Sequence, residues 1–284
     1  MLRAGIWRGL SALDTRLGSD LSASLSLGLA LARRLGDGRR ARLKIVTLSV
    51  WLAVLGRQLR RPVVLRLRAG AIRVRFSVLD FSTLQALGEV FLEEQYAVDL
   101  PEPPKRILDL GSHLGASVLY FRSRYPQARI VAVEPSASLF PILCRNLSGL
   151  ADLMLHRAAV QATPGTTTFW DAPQSWLGST TPPPGARQPT RVDVVTIDSL
   201  CDAEGWSEVD LLKLDIEGAE FEALEVIERP ARFRAVVGEL HASPGSENSD
   251  RVLARFSSDF VVQTNSPGPG VNHTIFSAVR RDES

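Results

Sequence analysis

The stretch Arg106–Gly115 reads RILDLGSHLG, and it decides how the rest of the chain is read. Ile107–Leu110 is a short, largely apolar run of strand type, Gly111 and Gly115 bracket a turn, and Ala116–Arg124 continues with helical spacing. Strand, glycine turn and helix in that order make the nucleotide-binding corner of an open α/β sheet. Yet Asp109 stands two residues ahead of the first glycine. A turn built to cradle phosphate has no use for an extra anion there.

The same rhythm runs on from this corner. Arg129–Val133 reads as a strand, Ala137–Leu147 as a helix, and Leu153–Val160 as a strand. Thr166–Trp170 and Val192–Ile197 are further strand candidates, then Val209–Leu214 (strand), Ala219–Ile227 (helix) and Arg234–Leu240 (strand). Alternation of this kind predicts an α/β fold with a parallel, doubly wound sheet. The end differs: Phe260–Gln263 and Thr274–Val279 are joined by NSPGPG without a helix, which predicts a closing antiparallel hairpin.

Ahead of the corner, PEPP at Pro101–Pro104 marks a change of character. Residues 1–90 read as a basic N-terminal extension and 91–284 as the cofactor-binding domain. Leu10, Leu13, Leu17, Leu21 and Leu25 recur every three or four residues, as on an amphipathic helix. Gly36-Asp37-Gly38 interrupts, and a second helix is predicted over Leu43–Leu59. Between 62 and 77, Leu65 and Leu67 alternate with Arg66 and Arg68, and Ile72, Val74 and Phe76 with Arg73 and Arg75. That is a β-hairpin with one apolar and one arginine face.

Composition sets the class. Hydrophobic content of 45% and charged content of 23% are those of a soluble globular protein, and Cys144 and Cys201 form neither a disulfide framework nor a metal motif. A reducing, cytoplasmic setting follows as the expectation. Only three of 33 basic residues are lysines, a skew that points to a GC-rich, bacterial genome. Residues 1–75 hold 16 basic against three acidic residues, and the remainder 17 against 28. The two readings are a solvated basic face that docks on an acidic body, and a peripheral contact with a membrane or other anionic surface. The apolar runs Leu21–Ala32 and Ile45–Gly56 fall short of the ~20 residues a membrane helix needs and read as helix faces packed on protein.

Ligands of an open α/β sheet sit beyond the carboxyl ends of its strands. The residues there are Asp109 with Gly111–Gly115, Glu134, the Arg157–Ala159 region, Asp215 with Glu217, and Glu239 with His241. So many acids would repel a pyrophosphate. The glycine spacing is G-x-x-x-G with His113 inside it, which is not the dinucleotide fingerprint, and no Gly-Lys-Ser/Thr follows. Glu134 closes the next strand about 20 residues on, where a carboxylate can accept the ribose hydroxyls. A nucleoside cofactor without phosphate and with a cationic tail fits, and S-adenosylmethionine is such a molecule. Asp109 would then face its cationic end. The cofactor set is Asp109, Gly111, Ser112, His113, Gly115, Glu134, Ala159 and Asp215.

The segments LDLGSHLG, VAVEP, VDVVTIDSL and VDLLKLDIEGAEFEAL, closed by VVGEL, recur in this order in the FkbM family of methyltransferases, which the chain resembles from about Leu108 to Glu239. KLDIEGAE, Lys213–Glu220, is the most specific of them. The resemblance implies a class I methyltransferase fold, a Rossmann-like, mostly parallel seven-stranded sheet. It also implies O-methylation of a sugar, glycolipid or polyketide-type secondary metabolite. One departure stands in the glycine turn, where the family usually has Ala-Asn and this chain has Ser112-His113.

A hydroxyl acceptor must lose its proton, which asks for a base titrating near neutrality. His241, two residues beyond Glu239, is the best placed of His113, His156, His241 and His273. It is the expected base, with Asp215 and Glu239 orienting it or the acceptor. The same residues could take Mg²⁺, although no ligand spacing demands a metal. Trp170 and Trp176 flank the Pro-rich loop Thr180–Pro189, as an acceptor lid or as loop packing, and Tyr96 invites the same two readings. DIEG follows the central strand where an N-methyltransferase carries Asn/Asp-Pro-Pro-Tyr/Phe, which weakens transfer to nitrogen. A non-catalytic cofactor-binding scaffold would need none of Asp215, Glu239 and His241. Arginines without interleaved aromatics are a poor nucleic-acid signature, so no nucleic-acid partner is expected.

Overall fold

The computed structural model describes residues 21–55, 59, 61–171, 178, 180, 189–242, 245–265 and 273–282. Leu10, Leu13, Leu17, Trp176, the interior of the Pro-rich loop and most of NSPGPG lie outside the described residues. The order of elements is α1 Leu21–Leu35, α2 Arg39–Leu55, β1 Val63–Ala69, β2 Ile72–Val78 and α3 Phe81–Phe91. Then follow β3 Arg106–Leu110, α4 Ala116–Arg124, β4 Arg129–Val133, α5 Phe140–Asn146, β5 Leu153–His156, β6 Ala158–Val160, β7 Gly165–Phe169 and β8 Thr190–Val195. The chain closes with α6 Ile197–Ala203, β9 Val209–Leu214, α7 Glu220–Glu225, β10 Phe233–Leu240, α8 Glu247–Ala254, β11 Phe260–Asn265 and β12 Thr274–Arg280.

Seven strands form the main sheet in the order β11-β12-β10-β9-β3-β4-β5. β10, β9, β3, β4 and β5 are parallel, and β12 runs antiparallel to both β10 and β11. The order reverses at β3, between β4 and β9, which is the switch point where such sheets bind ligands. The expected Rossmann-like, mostly parallel sheet with its antiparallel closing hairpin is the observed fold.

Strand period explains the two cores. Successive side chains point to opposite faces. Ile107, Ile130, Leu211 and Ala235 go to one cluster, and their neighbours Leu108, Val131, Leu212 and Val236 to the other. The N-terminal elements cover the first face: Leu31, Leu35, Ile45, Leu65, Phe76 and Leu84 share a cluster with Val118, Phe121 and Ile130. The extension thus packs through apolar contact, not through its charges. Buried Asn146 clips the two together, accepting from the Ser77 amide at 2.8 Å and donating to the Leu114 carbonyl at 2.9 Å.

Three local expectations need correction. The predicted strand Leu153–Val160 is broken at Arg157: β5 joins the main sheet, and β6 pairs with β8 and β7 in a separate three-stranded sheet. Ile197 opens a helix instead of ending a strand, because Thr196 and Ser199 form a reciprocal capping box. Two helices, α3 and α8, went unpredicted. Asp80 caps α3 by accepting from the Thr83 amide at 3.0 Å, and Ser246 caps α8.

Candidate active site

The glycine turn binds itself to its neighbours. Gly111 and Ser112 both donate their amides to the Val133 carbonyl at 3.0 Å. Gly111 has φ 80°, and a Cβ there would stand 1.6 Å from the Asp215 carbonyl oxygen. No other residue fits, since β3 and β9 end with their backbones in contact. His113 also has positive φ, 49°. Asparagine and histidine are both enriched in that region, so the exchange for the family's Ala-Asn keeps the turn's conformation.

Glu134 sits beside the turn, buried, with one carboxylate oxygen accepting from the His113 amide and the other from the Ser136 amide, each at 2.9 Å. Burial pushes its carboxyl up to about 7, against the pull of the two amides. Each oxygen keeps a lone pair to offer.

Asp109 has a different role from the one expected. It is fully enclosed and faces Lys213 Nζ at 3.5 Å, so the cation it meets belongs to its own chain. Lys213, equally buried, donates to the Leu110 and Gly111 carbonyls at 3.1 and 2.7 Å, lies 3.7 Å from Asp215, and stands 5.2 Å from the centroid of the Tyr96 ring. The aspartate ahead of the glycines is the counter-ion of a lysine that clamps the turn. Ser112 also turns inward, its hydroxyl bonded to the Asp109 carbonyl at 3.0 Å. Ala159 packs with Phe169, Val192 and Val194 in the small second sheet, because the chain leaves the main sheet after His156.

The ends of β9 and β10 lie side by side and bring Asp215, Glu239 and His241 together. One ligand-type atom from each lies within 4.8 Å of the others, a set that could hold a divalent cation. His241 Nδ1 is 2.9 Å from Glu220, which is fully buried and also accepts the Ile216 and Gly218 amides. That bond turns Nε2 toward Glu217 at 3.4 Å and Glu239 at 4.0 Å. Glu217 carries positive φ, 54°, a strained conformation of the kind that gathers at functional sites. His273, from the start of β12, approaches Glu239 at 3.6 Å.

Residues 89–96, at the junction of extension and domain, complete the group. Tyr96 donates its hydroxyl to Asp215 at 2.9 Å, and Gln95 donates its amide to Glu239. Tyr96 is buried in this bond, which makes it neither lid nor mere packing. Glu89 of α3 is near enough to Glu239 and Asp215 to be raised by both. None of Glu89, Gln95 and Glu220 was foreseen.

Electrostatics follow from five acids in one enclosure. Burial lifts Glu217 and Glu89 to about 8 and Glu239 to about 7, with neighbouring carboxylates adding to it. Burial would raise Asp215 too, but Lys213, His241 and the Tyr96 hydroxyl hold it below its ordinary value. Burial lowers His241, yet Glu220, Glu217 and Asp215 outweigh it and take the imidazole to about 11. His241 is therefore protonated at neutral pH, as are Glu217 and Glu89, so the imidazole is not the free base titrating near neutrality that the sequence led us to expect. Proton-accepting capacity at neutral pH lies with Glu239, near 7, and with ionised Asp215, within a set of groups that titrate together. Trp170 is half-buried beside β7.

The methyltransferase FkbM domain matches residues 109–263. The methyltransferase sdnD of Sordaria araneosa is 29% identical over 192 residues, 54% of this chain and 73% of that protein. Methyltransferase 1 of Beauveria bassiana is 28% identical over 158 residues, 48% of this chain and 64% of that protein. Among solved structures, Aeropyrum pernix fibrillarin in complex with natively bound S-adenosyl-L-methionine aligns with TM-score 0.42 and 14% identity, over 78% of this chain and 97% of that one.

Proposed function

The chain belongs to the methyltransferase FkbM family, and from that premise we propose that it transfers a methyl group from S-adenosylmethionine to a hydroxyl of a sugar, glycolipid or polyketide-type metabolite. The observation that carries the reading is the proton-accepting group at the β9 and β10 ends, one strand from the glycine turn. Glu134, beside the turn, would hold the ribose hydroxyls, and the backbone of Gly111–Gly115 the rest of the nucleoside. Glu134 supports this fit, because each of its buried carboxylate oxygens accepts an amide and retains acceptor capacity for a hydroxyl. S-adenosylmethionine, when bound, supplies a methyl group activated by its sulfonium.

The chain's residues then have three tasks. Lys213 and Asp109 hold the turn against β9. Asp215, ionised and fixed by Tyr96, offers an acceptor to the substrate hydroxyl and a negative charge to a cationic cofactor. Glu239, held by Gln95 and by the protonated His241, would take the hydroxyl proton as the methyl group passes from sulfur to oxygen. A hydroxyl needs this help, whereas an amine that is already neutral does not, and a carboxylate acceptor would be repelled by the acids. That favours oxygen over nitrogen.

The test is methyl transfer from labelled S-adenosylmethionine to a panel of sugar and polyketide alcohols. Loss of the proton acceptor costs about 10²–10⁴-fold in rate. Glu239→Gln should lose turnover on that scale while keeping its affinity for S-adenosylhomocysteine. Wild-type turnover in that variant would remove Glu239 from the chemistry, and label appearing on amines alone would refute the choice of oxygen.

A further inference from the structure

The N-terminal extension has an outer face that the active site does not use. Leu21, Leu25 and Leu29 recur every four residues along α1 and so share one stripe, and all three are exposed. Leu43, Trp51 and Val54 of α2 are 67%, 47% and 65% exposed. The two helices meet closely, as a Cβ on Gly28 would stand 2.0 Å from the Ser49 hydroxyl. Six large apolar side chains thus lie open on one helical hairpin, although the opposite faces of the same helices are buried in the main core. Apolar exposure on this scale marks a surface that meets something apolar.

The charge around it has one sign. Residues 21–75 contain 13 basic side chains and one acid, Asp37. The hairpin sets arginine opposite arginine, Arg66 against Arg75 and Arg68 against Arg73, all exposed. Like charges placed directly across a sheet repel. Among the described residues only Asp37 answers them, lying 3.7 Å from Arg66 and 3.4 Å from Arg73. Asp37 sits in the turn between α1 and α2, its amide bonded to the Arg66 carbonyl, and Lys44 of α2 bonds the Val64 carbonyl at 2.9 Å. The arginine face and the apolar helices are therefore parts of one packed unit. No helix of the described residues is long and apolar enough to cross a membrane.

We propose that the outer face of α1 and α2, with the arginine face of the β1–β2 hairpin, docks on an anionic lipid bilayer. The leucines, Trp51 and Val54 enter the boundary between head groups and acyl chains, as the apolar face of an interfacial helix does. Arg39, Arg40 and the hairpin arginines pair with lipid phosphates, their long stems lying along apolar surface. A second copy of this chain fits the face poorly, because it would set a strongly basic segment against itself. A nucleic acid would meet the charges but leave the leucines in water.

Co-sedimentation of the full chain with vesicles decides it. The chain should bind equal mixtures of phosphatidylglycerol and phosphatidylcholine, should release them as salt rises, and should ignore phosphatidylcholine alone. Each basic residue at such a surface contributes about fivefold to partitioning, so Arg39→Ser with Arg40→Ser should weaken it roughly 30-fold. Leu43→Ser with Val54→Ser leaves the charge untouched and should weaken it about tenfold or more. Brominated lipid should quench the wild type more than Trp51→Phe. All these positions are exposed, and unchanged affinity for S-adenosylhomocysteine shows that the variants fold. Failure of the wild type to bind mixed vesicles at low salt overturns the proposal. So does binding that the Leu43 and Val54 changes leave intact, which would reduce the face to a polyanion patch. Self-association that the same changes abolish, without vesicle binding, would assign the face to a second copy instead.

Discussion

Replacing Glu89 by glutamine should stabilise the protein, and only above acid pH. Glu89 lies on α3, and burial together with Glu239, Glu93 and Asp215 raises its carboxyl from 4.5 to about 8. Below about pH 4.5 both folded and unfolded states hold the proton, and the raised value costs nothing. Above that, the unfolded chain ionises while the folded one keeps its proton, so stability falls by about 1.4 kcal/mol per pH unit. The loss stops near pH 8, where the folded carboxyl ionises as well. The whole shift corresponds to up to about 5 kcal/mol, and relaxation of the surroundings should leave about 2–3 kcal/mol of it. Glutamine has nearly the same shape and no proton to lose. Urea unfolding of both proteins between about pH 5 and 9 should give curves that start together and separate with pH, the variant ending the more stable. A difference independent of pH, or a wild type that is more stable at the alkaline end, would refute the reasoning.

Gly111→Ala should fail to fold or lose more than about 3 kcal/mol, since its methyl group would overlap the Asp215 carbonyl and its φ is positive; thermal unfolding checks this. Tyr96→Phe removes a hydroxyl bond from Asp215. It should cost about 1–2 kcal/mol of stability and raise the Asp215 carboxyl, visible as an acid limb of the pH–rate profile displaced upward. Turnover should survive a chelator, because Lys213 and His241 already supply positive charge beside Asp215. Loss of turnover that Mg²⁺ or Mn²⁺ restores would instead make ligands of Asp215, Glu239 and His241.

The corner from Arg106 to Arg124 was legible because strand period, glycine and helix spacing coincide there without competition. The strands Arg129–Val133 and Val209–Leu214 were legible for the same reason, being short apolar runs between breakers. The small sheet was not, since nothing in Leu153–Val160 says that its second half pairs elsewhere. α3 was legible and went unread: Asp80 and Thr83 carry a capping signal, and Phe81, Leu84, Leu87, Val90 and Phe91 recur at helical spacing. Strand ends gave the right neighbourhood for Asp215, Glu239 and His241. Their roles needed tertiary contacts: Glu220 is 21 residues from His241, and Tyr96 is 119 from Asp215. Asp109 was misread for want of one clue that was present. A lysine inside the apolar strand VDLLKL has to find a buried anion, and Asp109 on the adjacent strand is that anion.

Calorimetric titration with S-adenosylhomocysteine, for the wild type and Glu134→Ala, tests the central claim most directly. Glu134 closes β4 beside the glycine turn with its carboxylate held by the His113 and Ser136 amides. The account predicts that the wild type binds and that the variant binds more weakly by about 1–3 kcal/mol, the worth of charge-assisted hydrogen bonds to two hydroxyls. A wild type that ignores S-adenosylhomocysteine, or that prefers a nicotinamide dinucleotide, would contradict it.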